Sequence, residues 1–208
     1  MGQIILASAS PRRRELLEQI GIHFEVCPAK GEEVITKKLP HEAVEELAGQ
    51  KAREVAGMVK SYGASHEELV TPQDILIIGA DTVVAYGDEI LGKPKDEADA
   101  FRMLSMLQGK MHEVYTGVSL VLLDASGRAG ELTFHEKTAV SVCSMTEQEI
   151  RRYIATGEPF DKAGGYAIQG KCAIYIDKID GDYNNVVGLP VAAVYQKLKK
   201  LGIDLYLW

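Results

Sequence analysis

No apolar run in the sequence approaches the roughly 18 residues that a membrane-spanning helix requires. The longest, in Asp74-Ile75-Leu76-Ile77-Ile78-Gly79, has the length of a buried strand. Met1-Gly2-Gln3-Ile4-Ile5-Leu6 lacks the basic region that precedes the apolar core of a secretory leader, so none is expected. Cysteine is scarce. Cys27, Cys143 and Cys172 are an odd, widely spaced set and read as free thiols of a reducing cytoplasm. No Cys or His spacing fits a zinc site. Excess positive charge is missing too. A net charge of −7, without interleaved aromatic and basic residues, argues against a nucleic-acid binder. There is no Walker A ending, no Rossmann glycine fingerprint and no acyl-transfer nucleophile elbow. With no linker-like stretch and no repeat, the expectation is one domain over residues 1–208. An apolar share of 46% excludes global disorder.

What is present alternates. Gln3 to Ala7 reads as a strand. Ser10-Pro11 reads as a helix start, with a cap hydroxyl and proline at the first helical position, and Gly21 ends that helix. Phe24 to Cys27 is a short strand. Glu42 to Val59 places Val44, Leu47, Ala48, Ala52, Val55 and Val59 at helical spacing. Ser61 to Asp74 is polar and reads as a loop. Strands follow at Ile75 to Val84 and Glu89 to Leu91, then a helix from Glu97 to Gln108. Glu113 to Leu123 and Leu132 to Val142 read as a hairpin around Asp124-Ala125-Ser126-Gly127. Thr146 with Glu149 matches a capping box. Cys172 to Ile176 reads as a strand, and Pro190 opens the last helix. Strand–helix alternation with a hairpin in the middle predicts an α/β fold: a mixed sheet flanked by helices, with a cleft between two halves.

Three places break a local rule, as functional sites do. Arg12-Arg13-Arg14 put cations in the first turn of a helix, where the dipole disfavours them. Helix N–H groups and the Ser8 and Ser10 hydroxyls would there assemble an anion site; the bland alternative is three solvated charges. Lys51 falls on the apolar stripe of its helix. On pattern alone it snorkels to solvent; the alternative is an ammonium aimed into a cleft. Asp81 follows four aliphatic residues and Gly79-Ala80 in an apolar strand, which is costly unless it is paired, metal-bound or at an opening. Lys93, in Gly92-Lys93-Pro94, and the Glu32-Glu33 pair default to surface. The glycine-dense stretch Asp161 to Gly170 can bring backbone close to a ligand. Several cations, a few carboxylates and hydroxyls, with no evident nucleophile, suit metal-assisted hydrolysis of a polyphosphate.

Ala7-Ser8-Ala9-Ser10-Pro11-Arg12-Arg13 and Gly79-Ala80-Asp81-Thr82 resemble the two main signatures of the Maf family of nucleotide pyrophosphatases. Lys51-Ala52, Gly92-Lys93-Pro94, Tyr115-Thr116-Gly117-Val118, Asp161-Lys162-Ala163-Gly164, Ile168-Gln169-Gly170 and Gly188-Leu189-Pro190 follow in family order, so the resemblance spans nearly the whole chain. It implies a twisted sheet in two lobes around a cleft, related to inosine triphosphate pyrophosphatases. It implies cleavage of a nucleoside triphosphate to monophosphate and pyrophosphate, aided by Mg²⁺ or Mn²⁺, for pool cleaning or cell-division control. Asp81 matches the family's proton acceptor, and Arg12, Thr82 and Gln169 its specificity positions. Ser8, Arg13, Lys51 and Lys93 match phosphate-facing positions, and Glu33, with Asp81, a metal ligand. The combination Arg12, Thr82 and Gln169 resembles the dTTP/UTP branch. The 7-methylguanosine triphosphate branch has tryptophan near the first motif and glutamine after the aspartate, and neither stands here. The resemblance further implies a homodimer with no nucleic-acid or membrane partner. The alternative it leaves is a nucleotide-sensing regulator of septum formation without turnover.

Overall fold

The computed structural model describes residues 2–65, 74–124 and 126–208. Strand β1 (Gln3–Leu6) leads into α1 (Pro11–Gln19) and the two-residue strand β2 (Glu25–Val26). Helix α2 (Pro40–Ser65) precedes β3 (Ile75–Tyr86), β4 (Glu89–Leu91) and α3 (Glu97–Leu107). The long hairpin β5 (Met111–Leu123) and β6 (Ala129–Val142) is followed by α4 (Glu147–Ile154), then three single 3₁₀ turns. Strand β7 (Ile176–Asp180), the short α5 (Tyr183–Val187) and α6 (Val191–Lys200) complete the order.

The sheet runs β2-β1-β3-β5-β6-β7, with β4 on the free side of β3. Strands β2, β1 and β3 are parallel, and every other pairing is antiparallel, so the expected mixed sheet is what forms. Side chains of β3 and β5 alternate between faces. Leu76, Ile78, Val118 and Leu120 pack with α1 and α6 through Leu16, Leu17, Val194 and Leu198. Ile75, Ile77, Val121 and Leu123 pack with Ala52 and Val55 of α2 on the opposite face. Further along the same strands, Val84, Val114 and Val140 join a separate core with Leu104, Leu107, Ile150 and Tyr153 of α3 and α4. The two halves of the expected cleft correspond to these ends of β3 and β5.

Strand β3 is where the sheet opens. Its first half pairs with β1 as far as Leu6↔Ile78, and its second half pairs with β4 from Val84↔Leu91. Among the described residues, 79–83 have no strand partner on that side.

Helix α2 begins at Pro40 and continues through Ser65, so 61–65 are helical and not loop; 66–73 lie outside the described residues. Polar composition does not by itself stop a helix, because each added residue adds a bond once the helix is started, and α2 carries Gly63 within it. Lys171–Tyr175 is a 3₁₀ turn, and the strand there starts at Ile176. A short apolar run is not typed by periodicity, and Cys172 is buried in the α3–α4 core. Ser10 does hold the cap position of α1 in extended conformation, but its side chain makes no cap bond; its N–H donates instead to Ser8 Oγ at 3.2 Å. The Thr146–Glu149 capping box forms with both reciprocal bonds.

Candidate active site

A cleft of about 600 Å³ lies at the opening in β3. Its walls are the loop after β1, the start of α1, the middle of β3, α2, the loop after β4 and the glycine-dense stretch after α4. The nine residues that the resemblance assigns to the site all line it: Ser8, Arg12, Arg13, Glu33, Lys51, Asp81, Thr82, Lys93 and Gln169, and so does Ser10. Arg14 and Glu32 do not: Arg14 is exposed on another face of α1, so the third cation of the arginine run is a solvated charge. The position obeys the rule that open α/β sheets bind ligands beyond the carboxyl ends of their parallel strands.

Two glycines set the depth of α2 over this opening. A Cβ on Gly79 would meet the Ala48 carbonyl oxygen at 2.4 Å, and one on Gly117 would meet the Val44 carbonyl at 2.3 Å. Gly117 sits directly opposite Asp81 in the β3–β5 register, so the helix closes on the face that Asp81 occupies. Lys51, three residues on from Ala48, is thereby delivered to the cleft. Its Nζ lies 2.5 Å from Asp81 Oδ1 and 3.0 Å from Glu33 Oε1. The Lys51 and Asp81 side chains are only 15% and 14% exposed, whereas Glu33 stands 54% exposed. The snorkelling reading of Lys51 is therefore overturned: the side chain is largely buried and the ammonium faces two carboxylates.

On the opposite face of β3, Arg13 is buried. Its Nε donates to the Gly188 carbonyl at 2.7 Å, Nη1 to Ser8 Oγ at 3.0 Å and Nη2 to Thr82 Oγ1 at 3.1 Å. Burial pulls the guanidinium below the usual arginine value, and the negative charges of Asp81 and Glu33 oppose that pull. Two of its five N–H groups are left over from these three bonds. Arg12 spans the cleft mouth instead, donating from Nη1 to Asp161 Oδ2 at 3.1 Å. Burial would raise the Asp161 carboxyl, but hydrogen bonds from Lys162 and Arg12 outweigh it and hold the group below its ordinary value. Lys93 and Gln169 are exposed at the rim.

Asp161 and Lys162 were legible as part of a glycine-dense stretch and of a motif in family order, without a role of their own. Lys162 Nζ sits 2.5 Å from Asp161 Oδ1 and 3.1 Å from the Glu158 carbonyl, adding a further cation to the wall. Thr116 stands in a motif in family order but carried no role there, and nothing in the sequence marks Asn185; both are fully buried behind Thr82. Among the described residues, no group of three or more His, Cys, Asp and Glu gathers as a metal cage. The carboxylates facing the cleft are Asp81, Glu33 and Asp161. Asp81 and Glu33 converge on the Lys51 ammonium, and two such carboxylates are the donors that a hard divalent ion takes when substrate phosphates and water complete its shell.

Fold and cleft define an α/β protein with a cation-rich pocket that balances its positive charge with carboxylates at a break in a mixed sheet. The chain belongs to the Maf family, matching the model described as Maf-like protein over residues 3–201. It is 67% identical to the dTTP/UTP pyrophosphatase of Agathobacter rectalis, across 98% of this chain and 100% of that one. It is 48% identical to the dTTP/UTP pyrophosphatase of Lachnoclostridium phytofermentans, across 99% and 98% of the two chains. A solved nucleoside-triphosphatase / dITP/XTP pyrophosphatase from Mycobacterium abscessus aligns with 68% of this chain and 74% of that one, at 16% identity and a TM-score of 0.31, a likeness too slight to support an argument.

Proposed function

We propose that this chain hydrolyses dTTP and UTP to the monophosphate and pyrophosphate, with the nucleotide seated in the cleft at the break in β3. The observation that carries the reading is the convergence of Asp81, Lys51 and Glu33 with Arg12, Arg13 and Lys93 around one opening. The whole-length relatives named dTTP/UTP pyrophosphatase support the base preference and do not favour a sensor without turnover.

In this reading Asp81 accepts a proton from a water, whose oxygen bonds to the α-phosphorus. The bond between that phosphorus and the α–β bridging oxygen breaks, and its electron pair leaves on pyrophosphate. Lys51 holds the Asp81 carboxylate in place. Arg12, Arg13 and Lys93, with the Ser8 hydroxyl, neutralise phosphate charge as it builds on the leaving group. Mg²⁺ or Mn²⁺, bound through Asp81 and Glu33, would supply further neutralisation of the triphosphate. Thr82, Gln169 and Arg12 face the nucleoside end. The unpaired state of Cys27, Cys143 and Cys172 is in keeping with action in the cytoplasm, and the family resemblance supports a homodimer.

The test is pyrophosphate release from dTTP, UTP, CTP, GTP, ITP and 7-methylguanosine triphosphate, with Mg²⁺ or Mn²⁺ and with Asp81→Asn as control. Release from dTTP and UTP, falling at least about 10³-fold in the variant while nucleotide binding persists, is expected. Near-normal turnover by Asp81→Asn would remove Asp81 from the chemistry.

A further inference from the structure

Thr82 on β3 and Thr116 on β5 are directly opposed in the sheet, with hydroxyl oxygens 2.9 Å apart. Thr82 lines the cleft, whereas Thr116 is wholly buried. A hydroxyl has one proton to give and two lone pairs with which to accept. Thr116 Oγ1 also lies 2.9 Å from the main-chain carbonyl oxygen of Asn185, which can only accept, so the Thr116 proton goes there. Thr116 is left to accept from Thr82, and the Thr82 proton points into the sheet. The Arg13 guanidinium donates to the Thr82 oxygen from the other side at 3.1 Å. Donation therefore runs one way, from Arg13 to Thr82 to Thr116 to the Asn185 carbonyl. Asn185 is itself pinned, because its side-chain amide donates to the Val114 carbonyl at 3.1 Å and to Thr138 Oγ1 at 2.9 Å.

The Thr82 hydroxyl thus has its proton and one lone pair committed. Toward the cleft it offers a single lone pair. A phosphate oxygen, itself an acceptor, gains no hydrogen bond from the Thr82 hydroxyl; its partner there is the pair of uncommitted Arg13 N–H groups. The N3–H of uracil or thymine is a donor and fits; cytosine presents a lone pair at N3 and meets another lone pair. We infer that Thr116 is a positioning residue that locks Thr82 as an acceptor, and that this acceptor reads N3–H and rejects cytosine. The inference rests on the nucleotide reading of the cleft and adds how the site chooses among pyrimidines.

Calorimetric binding of UMP, CMP, N3-methyl-UMP and 3′-deoxy-UMP to the parent protein, Thr116→Val, Thr116→Ser and Thr82→Val tests it, alongside kcat/KM for UTP and CTP. The parent should favour UMP over CMP and over N3-methyl-UMP by about 10- to 100-fold, the range set by one mismatched buried hydrogen bond. Thr116→Val frees the Thr82 proton to turn toward the cleft and should lower the UMP:CMP ratio about tenfold. Thr116→Ser should restore it to within about threefold. Thr82→Val should erase the penalty for N3-methylation. Urea midpoints establish that each variant folds, and the N3-methyl comparison needs no variant at all. An unchanged UMP:CMP ratio in folded Thr116→Val, or equal binding of UMP and N3-methyl-UMP, overturns the inference. So does a loss confined to 3′-deoxy-UMP, which would make Thr82 a reader of the sugar. Base discrimination that depends on Thr116 without UTP turnover would discard hydrolysis and keep the relay. Turnover with no base discrimination would do the reverse, and failure of every nucleotide to bind would overturn both.

Discussion

The Lys51 ammonium sits 2.5 Å from Asp81 Oδ1, and both side chains are about six-sevenths buried. A largely buried carboxylate that loses its cation is left uncompensated, at a cost of about 3 kcal/mol. Lys51→Met should therefore lower the urea-derived stability by that order and suppress pyrophosphate release. Adding Asp81→Asn to Lys51→Met removes both charges and should recover most of the stability with none of the activity. A Lys51→Met cost that is the same in the Asp81→Asn background would mean that the two residues are not coupled.

Gly117 lies under the Val44 carbonyl with no room for a methyl group. Its neighbour there is helix backbone, which cannot rotate out of the way as a side chain could. Gly117→Ala should lift α2 from the sheet, destabilise by about 1–3 kcal/mol and withdraw Lys51 from Asp81. Thermal unfolding and pyrophosphate release should fall together. Full activity in a protein with an unchanged melting temperature would show that α2 is not held at this depth.

His112 is buried in the sheet, with Nε2 2.7 Å from the Tyr166 hydroxyl and Nδ1 without a partner. Burial pulls its pKa down to about 4. The unfolded chain, near 6.5, binds a proton first as pH falls, so the unfolded state gains protons that the folded state refuses. Stability from this group is complete above about pH 6.5 and drains away as pH falls toward 4, to a total of about 3 kcal/mol. Urea titrations at pH 7, 5.5 and 4.5 should show that slope. His112→Gln should flatten it, and identical slopes in both proteins would rule His112 out as the source.

Cys143 is exposed, whereas Cys172 is buried, and burial with the Glu158 charge pushes its thiol up to about 12. The thiolate is the reactive form, so Cys172 should be inert in the native protein at pH 8. A colorimetric disulfide reagent should modify Cys143 within minutes and Cys172 only on adding denaturant. In Cys143→Ser the native protein should lose that fast phase and keep only the slower reaction of half-buried Cys27. Modification of Cys172 at the rate of Cys143 under native conditions would contradict its burial.

What the chain encodes locally was legible. Helical spacing placed Val44, Leu47, Ala48 and Ala52 on one stripe, the Thr146–Glu149 pair announced a helix start, and a hairpin after strand–helix alternation announced a mixed sheet. The residues that strained a local rule, Arg13, Lys51 and Asp81, do line the cleft, because a charge in an apolar pattern is tolerated only where something answers it. Residue type and spacing depend on near neighbours, so they can be read without a fold.

Contacts between distant segments could not be read that way. Periodicity puts Lys51 on a stripe but does not say what the stripe faces; Gly79 and Gly117 decide that by letting α2 settle onto β3 and β5. Arg12 meets Asp161 across 149 positions, and the Thr82–Thr116 relay exists only in one register of β3 against β5. The 3₁₀ turn at Lys171–Tyr175 and the short helix α5 carry no periodic signal long enough to detect. Residue order alone establishes which side chains this protein has to use. Packing of sheet against helix decided where each points and which protons are left to give, because direction and hydrogen-bond partnership are set by groups far away along the chain.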